Sequence, residues 1–114
     1  MYTELIIGGD TYKLRLNTRA SIQLEKALGC NPMNILIAME SGNLPKLNDV
    51  IIMLQAMLQC FHHGYNTDKT IDLFDKYVDD GKSMLDLLPV FIEVFQKSGY
   101  ISEQTGEEGA DEKN

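Results

Sequence analysis

The sequence predicts an α+β fold that is mostly helical: a two-stranded N-terminal β-hairpin, then about five helices, in one domain over residues 1–101 (hairpin 1–17, helices 18–101), with a disordered acidic tail over 102–114. Three observations predict it. Apolar residues alternate through Leu16 around a Gly8-Gly9-Asp10 break. From Thr18 the apolar spacing changes to three and four, and cap-type residues recur between the stripes. After Ile101 only one small apolar side chain, Ala110, is left.

In the hairpin, a two-residue turn at Gly9-Asp10 would set Ile7 opposite Tyr12, Leu5 opposite Leu14 and Thr3 opposite Leu16, with Glu4 facing Arg15 on the other side. That register places every large side chain of the segment except Ile6. An isolated two-stranded ribbon is marginal in water, so the apolar face must lie on helices or on another chain's strands.

The first helix is expected to start with Thr18 as N-cap, to carry Ala20, Leu24, Ala27 and Leu28 on one stripe, and to end at a left-handed Gly29. Asn31-Pro32 repeats the start signal, cap then first helical position, and opens a short helix to about Glu40; Ser41-Gly42-Asn43-Leu44-Pro45 breaks it. A third helix from about Asn48 to His62 or His63, stopping at Gly64, is apolar nearly all round. It is therefore either a central buried helix or one with a second apolar face for a partner. A fourth, capped by Thr67 and closing at Gly81, turns Ile71, Phe74, Tyr77 and Val78 inward and Asp68, Asp72, Asp75 and Asp79 outward. A fifth follows Ser83, with Met84, Leu88, Phe91, Ile92 and Phe95 on a stripe and Gly99 after its end; Pro89 in its early turns predicts a kink or a late start.

With 114 residues and 44% hydrophobic content the chain can bury one modest core. Ten Lys and Arg against 17 Asp and Glu give a net charge of −7, the wrong sign for a nucleic-acid partner. Residues 102–114 hold five acids and one lysine, so the remainder, with 12 acids and nine bases, is nearly balanced. The longest apolar-rich stretch, residues 50–61, is interrupted by Gln55 and Gln59 and falls short of the roughly 20 residues of a membrane span. No basic segment precedes the first apolar residues, and two cysteines, Cys30 and Cys60, define no disulfide framework, which together predict a reducing compartment and no membrane.

Cys60-Phe61-His62-His63 offers ligand-type residues, but neighbouring helical side chains diverge by about 100°, and no second Cys or His pair accompanies them. A buried Cys and two histidines near the negative end of a helix dipole account for them better. A Cys-His nucleophile would need an orienting group and an oxyanion site, for which there is no motif. Gly8-Gly9-Asp10 links two strands rather than a strand and a helix, so it is no phosphate cradle. The expectation is no enzyme, no cofactor and no metal. Five methionines other than Met1 fall on predicted helices, and thioethers suit both cores and adaptable binding grooves. The surplus of apolar helical surface favours oligomerisation or capture of an amphipathic helix, with Met33, Ile37, Met53 and Met57 as the candidate contacts against the plainer alternative that they are core.

The order of elements, and above all Leu14-Arg15-Leu16-Asn17-Thr18-Arg19-Ala20 through Leu24-Glu25-Lys26-Ala27-Leu28-Gly29, resembles the small tail assembly chaperones of long-tailed, siphophage-like bacteriophages and prophages. Asn31-Pro32-Met33 and the helix it opens continue the likeness; residues 47–101 share only helical character with it. The resemblance implies a non-enzymatic protein of the bacterial host cytoplasm, acting in several copies or as a homo-oligomer. Such a protein coats and solubilises the helical tape measure protein, helps recruit tail tube protein, and is absent from the mature virion. It also implies a longer product made by a −1 ribosomal frameshift, for which Glu112-Lys113-Asn114 offers codons compatible with an A-rich slippery site. The alternative is a structural, oligomeric tail component retained in the particle, whose hairpin adds to a neighbour's sheet edge.

Overall fold

A computed structural model describes residues 1–101; the acidic tail expected at 102–114 lies outside the described residues. The hairpin pairs β1 (Thr3–Ile7) with β2 (Asp10–Leu14), and five α-helices follow: α1 (Thr18–Leu28), α2 (Pro32–Glu40), α3 (Leu47–Leu58), α4 (Thr67–Asp79) and α5 (Leu87–Ser98), the last preceded by a 3-10 turn at Met84–Asp86. No helix among the described residues is long and apolar enough to cross a membrane.

The hairpin register differs from expectation by two residues. Thr3 faces Leu14, Leu5 faces Tyr12 and Ile7 faces Asp10, so Glu4 meets Lys13 rather than Arg15. The turn is Gly8-Gly9, with φ of 59° and 85°. A two-residue hairpin turn of this hand needs positive φ at both positions; glycine supplies it freely, whereas Asp10 would carry a penalty of about 1 kcal/mol. Because the slip is even, the faces are preserved: Leu5, Ile7 and Leu14 are buried as predicted, and Ile6 is 63% exposed. Leu16, beyond the strand, is buried as well.

The hairpin lies on its own helices, β2 against α3 and β1 against α4 and α5. The Arg15 N–H donates to the Met57 carbonyl at 2.9 Å, tying the end of β2 to one of the last carbonyls of α3, which have no partner within their own helix. Helix α3 is the centre of the molecule. Its Val50, Ile51, Met53, Leu54, Met57 and Leu58 are all buried, with Ile52 and Ala56 half-buried, which decides for the central-helix alternative.

Both Asn-Thr pairs are capped one residue earlier than predicted. Asn17 Oδ1 accepts the Ala20 N–H and Asn66 Oδ1 accepts the Lys69 N–H, each at 2.8 Å, leaving Thr18 and Thr67 as first helical residues, in keeping with the greater capping strength of Asn. Asn31 and Pro32 open α2 as expected, and Gly29 and Gly99 close α1 and α5 in the left-handed conformation. Helix α3 ends at Leu58, about four residues early: the Phe61 and Tyr65 N–H groups reach back only three residues, to the Leu58 and His62 carbonyls, and the Gln59 side-chain amide holds the turn by donating to the Tyr65 carbonyl.

The buried stripe of α4 is Thr70, Leu73, Phe74 and Tyr77; Ile71 and Val78 are 43% and 47% exposed, against expectation. Thr70 tolerates the core because its hydroxyl donates to the Asn66 carbonyl at 2.8 Å. The four aspartates of α4 point outward as predicted. Ala27 is exposed rather than packed. Of the two outcomes expected for Pro89, the late start occurs: the Asp86 carboxylate accepts the Ser83 N–H at 2.7 Å, the 3-10 turn follows, and Pro89 falls in the first turn of α5, where its missing N–H costs nothing. Leu87 and Val94 join Phe91 and Phe95 in the buried face.

Candidate functional site

Of the four sequence candidates for partner contact, two are corrected by burial. Met53 and Met57 are 0% exposed, inside the core, and offer a partner no surface. They sit there because α3 is packed on several sides, by α1, α4 and β2. Met33 is half-buried against the core, and Ile37 is 60% exposed on the outer side of α2. Leu44 and Leu47, after α2, are similarly exposed.

The Cys60-His62-His63 group diverges. Cys60 is a half-buried free thiol rather than a buried one, with the Asn17 amide 3.9 Å from its sulfur. His63 is exposed. His62 Nε2 accepts the Lys13 N–H at 3.1 Å, and its ring packs between Tyr12 and Tyr65. Desolvation first, and the nearby Lys13 charge second, hold its pKa below the ordinary value, which keeps the neutral, accepting imidazole in place. Among the described residues no three His, Cys, Asp or Glu side chains are grouped to hold a metal ion.

A largely apolar groove of about 320 Å³ lies between α1 and α3, with Thr67 also in its lining. Ala20 and Ala27, two turns apart on α1, face Ile52 and Ala56 of α3, with Leu24 beneath. The small side chains let α1 and α3 approach closely and leave a trough over their contact. Gln23, Gln55 and Gln59 form its rim. Two of these amides are already oriented: the Thr67 hydroxyl donates to Gln55 Oε1 at 3.0 Å, and Gln59 Nε2 donates to the Gln55 and Tyr65 carbonyls. An apolar floor with a neutral, hydrogen-bonding rim is suited to the apolar stripe of a helix, and none of its lining side chains is ionisable. Sequence reasoning placed Ala20 and Ala27 on a packed stripe and so missed the groove; their small size at a seven-residue interval was the available signal.

A family model described as a family of unknown function (DUF6096) matches residues 3–111, from the first residue of β1 to beyond α5. No match was found among curated proteins or among solved structures.

Proposed function

We propose that this chain, which belongs to the family of unknown function DUF6096, is a non-enzymatic tail assembly chaperone that binds and solubilises a helical tape measure protein and promotes assembly of tail tube protein around it. The observation that carries the binding mode is the α1/α3 groove, an apolar trough flanked by amide side chains. A long helix with an apolar stripe aggregates through that stripe when unaccompanied; covering it stripe by stripe with many small chains keeps it in solution. The tape measure identity of the partner comes from the resemblance of residues 14–29 to such chaperones, and the groove supplies a mode of contact compatible with it. The contact surface passes from the methionines of α3 to Ala20, Ala27, Ile52 and Ala56, with Met33 and Ile37 on a separate face.

The test is co-expression with the tape measure protein, comparing the natural chain with an Ala27→Arg variant that lays a long charged side chain across the groove from an exposed helical position. The natural chain is expected to hold the partner in solution and to elute with it in several copies. The variant should keep its circular dichroism and melting point but lose the partner. A partner that stays insoluble with the natural chain sinks the chaperone proposal, and mass spectrometric detection of the chain in purified particles would then point to the structural component. A variant that still solubilises the partner removes the groove from the mechanism.

A further inference from the structure

The two edges of the hairpin are treated differently. On β2, the Lys13 N–H is taken by His62 and the Arg15 N–H by the Met57 carbonyl, so that only Thr11, next to the turn, keeps both outward groups without a partner among the described residues. A two-residue turn makes Ile7 and Asp10 a hydrogen-bonded pair, and bonding then alternates along the ladder. Thr3, Leu5 and Ile7 therefore bond inward to β2, while the N–H and C=O groups of Glu4 and Ile6 point outward. Those outward groups have no partner among the described residues. On either side of them the edge is closed by a charge: Asp80 accepts the Gly8 N–H at 2.7 Å, and Lys97 donates to the Tyr2 carbonyl at 2.8 Å. Beside the open stretch, between β1 and α5, runs a cleft of about 560 Å³ lined by Thr3, Glu4, Pro89, Val90 and Glu93.

We propose that the β1 edge pairs antiparallel with the β1 edge of a second copy of this chain, joining the two hairpins into a four-stranded sheet. The pairing is centred on Leu5, so that Glu4 of each copy exchanges both backbone hydrogen bonds with the other copy's Ile6. Three features select this occupant. The open stretch is two outward residues long, which a two-fold axis at Leu5 uses completely, whereas a longer extended peptide would have to displace Asp80 and Lys97. In this register Tyr2 of one copy falls opposite Gly8 of the other, which brings the Lys97 ammonium of one copy, paired within its own chain to Glu93 at 2.8 Å, beside the Asp80 carboxylate of the other at both ends. A parallel pairing would set like charges together. Glu4 also comes opposite Ile6 rather than opposite a second carboxylate, and the two exposed Ile6 side chains become diagonal neighbours on the outer face. The proposal does not rest on the α1/α3 groove, which is built from other elements.

The experiment uses the full 114-residue chain and an Ile6→Pro variant. Proline removes the outward N–H of Ile6 and spares the hairpin ladder, since an edge position tolerates it. Size exclusion with light scattering is expected to give twice the 12.9 kDa chain mass for the natural protein and a twofold lower mass for the variant, with circular dichroism unchanged. A natural chain that stays monomeric at sub-millimolar concentration overturns the proposal, as does a folded variant that remains dimeric. If the variant fails to fold, amide hydrogen exchange on the natural protein decides. Protection of the Glu4 and Ile6 amides that rises with protein concentration supports the pairing, and fast exchange at both in a dimeric sample overturns it.

Discussion

Replacing Met57 by alanine tests whether the apolar surplus of α3 is core or contact surface. Met57 is 0% exposed, and its carbonyl also receives the Arg15 N–H, so the side chain sits where α3 meets the hairpin. Truncating a fully buried Met costs the lost transfer energy plus the cavity left behind, about 2–5 kcal/mol. With β2 and the Arg15 bond fixed around it, the site has little freedom to collapse, which favours about 3 kcal/mol or more. A domain of this size has about 5–15 kcal/mol in all, so the variant should fold but lose a large fraction of its stability. In urea, with a slope of about 1–3 kcal/mol/M, the midpoint should fall by about 1–3 M at unchanged slope, followed by circular dichroism. Ile37→Ala, at a 60% exposed position, serves as control and should move stability by less than about 0.5 kcal/mol. Met57→Asp, which buries an unpaired charge, should not fold at all. Equal midpoints for Met57→Ala and Ile37→Ala would refute the placement of Met57, and with it the central position of α3.

Three further outcomes follow from individual contacts. Gly9→Ala meets no atom within 4 Å of the new Cβ, so only the φ of 85° opposes it; a loss of about 1 kcal/mol is expected in thermal melts, smaller for Gly9→Asn, and no loss for alanine would contradict the turn. Asn66→Ala should cost about 1 kcal/mol and more than Thr67→Ala, since Asn66 caps α4; the reverse order in chemical denaturation would return the cap to Thr67. His62 has a folded pKa below 6.5, so the folded state binds fewer protons than the unfolded one: its contribution is complete above about pH 6.5 and declines as pH falls toward the lowered value. An NMR titration of the ring with its midpoint at or above 6.5 would show that the Lys13 N–H bond does not hold the neutral form.

What the sequence made legible was local. The hairpin, the Asn31-Pro32 start of α2, the glycine ends of α1 and α5 and the late start of α5 depend on residues within a few positions of one another, and each was readable from backbone chemistry alone. The hairpin faces were legible too, because period two is insensitive to a slip of two residues. The slip itself was not, since it depended on two glycines at positive φ outbidding a Gly-Asp turn that also fitted the pattern. The caps at Asn17 and Asn66 were within reach, as Asn outranks Thr at that position.

The candidate groove was not legible. Composition gave a surplus of apolar helical surface, but the positions expected to carry it, Met53 and Met57 among them, were not the ones left open, because a periodic pattern gives the faces of a helix and not the depth to which each is covered. Helix α3 has apolar residues nearly all round, and only its packing by α1, α4 and β2 puts Met53 and Met57 inside. Ala20 and Ala27 share a stripe with Leu24 in any helix, yet whether that stripe is filled or left as a trough depends on the size of the residues facing them from α3. The uneven cover of the two hairpin edges likewise follows from where His62, the Met57 carbonyl, Asp80 and Lys97 come to rest, 42 to 95 residues away along the chain. The sequence by itself determined the elements and their polar and apolar faces, because short-range sterics and hydrogen bonding act between neighbours. Tertiary structure alone decided which apolar surface remained exposed, because burial is a property of what lies opposite.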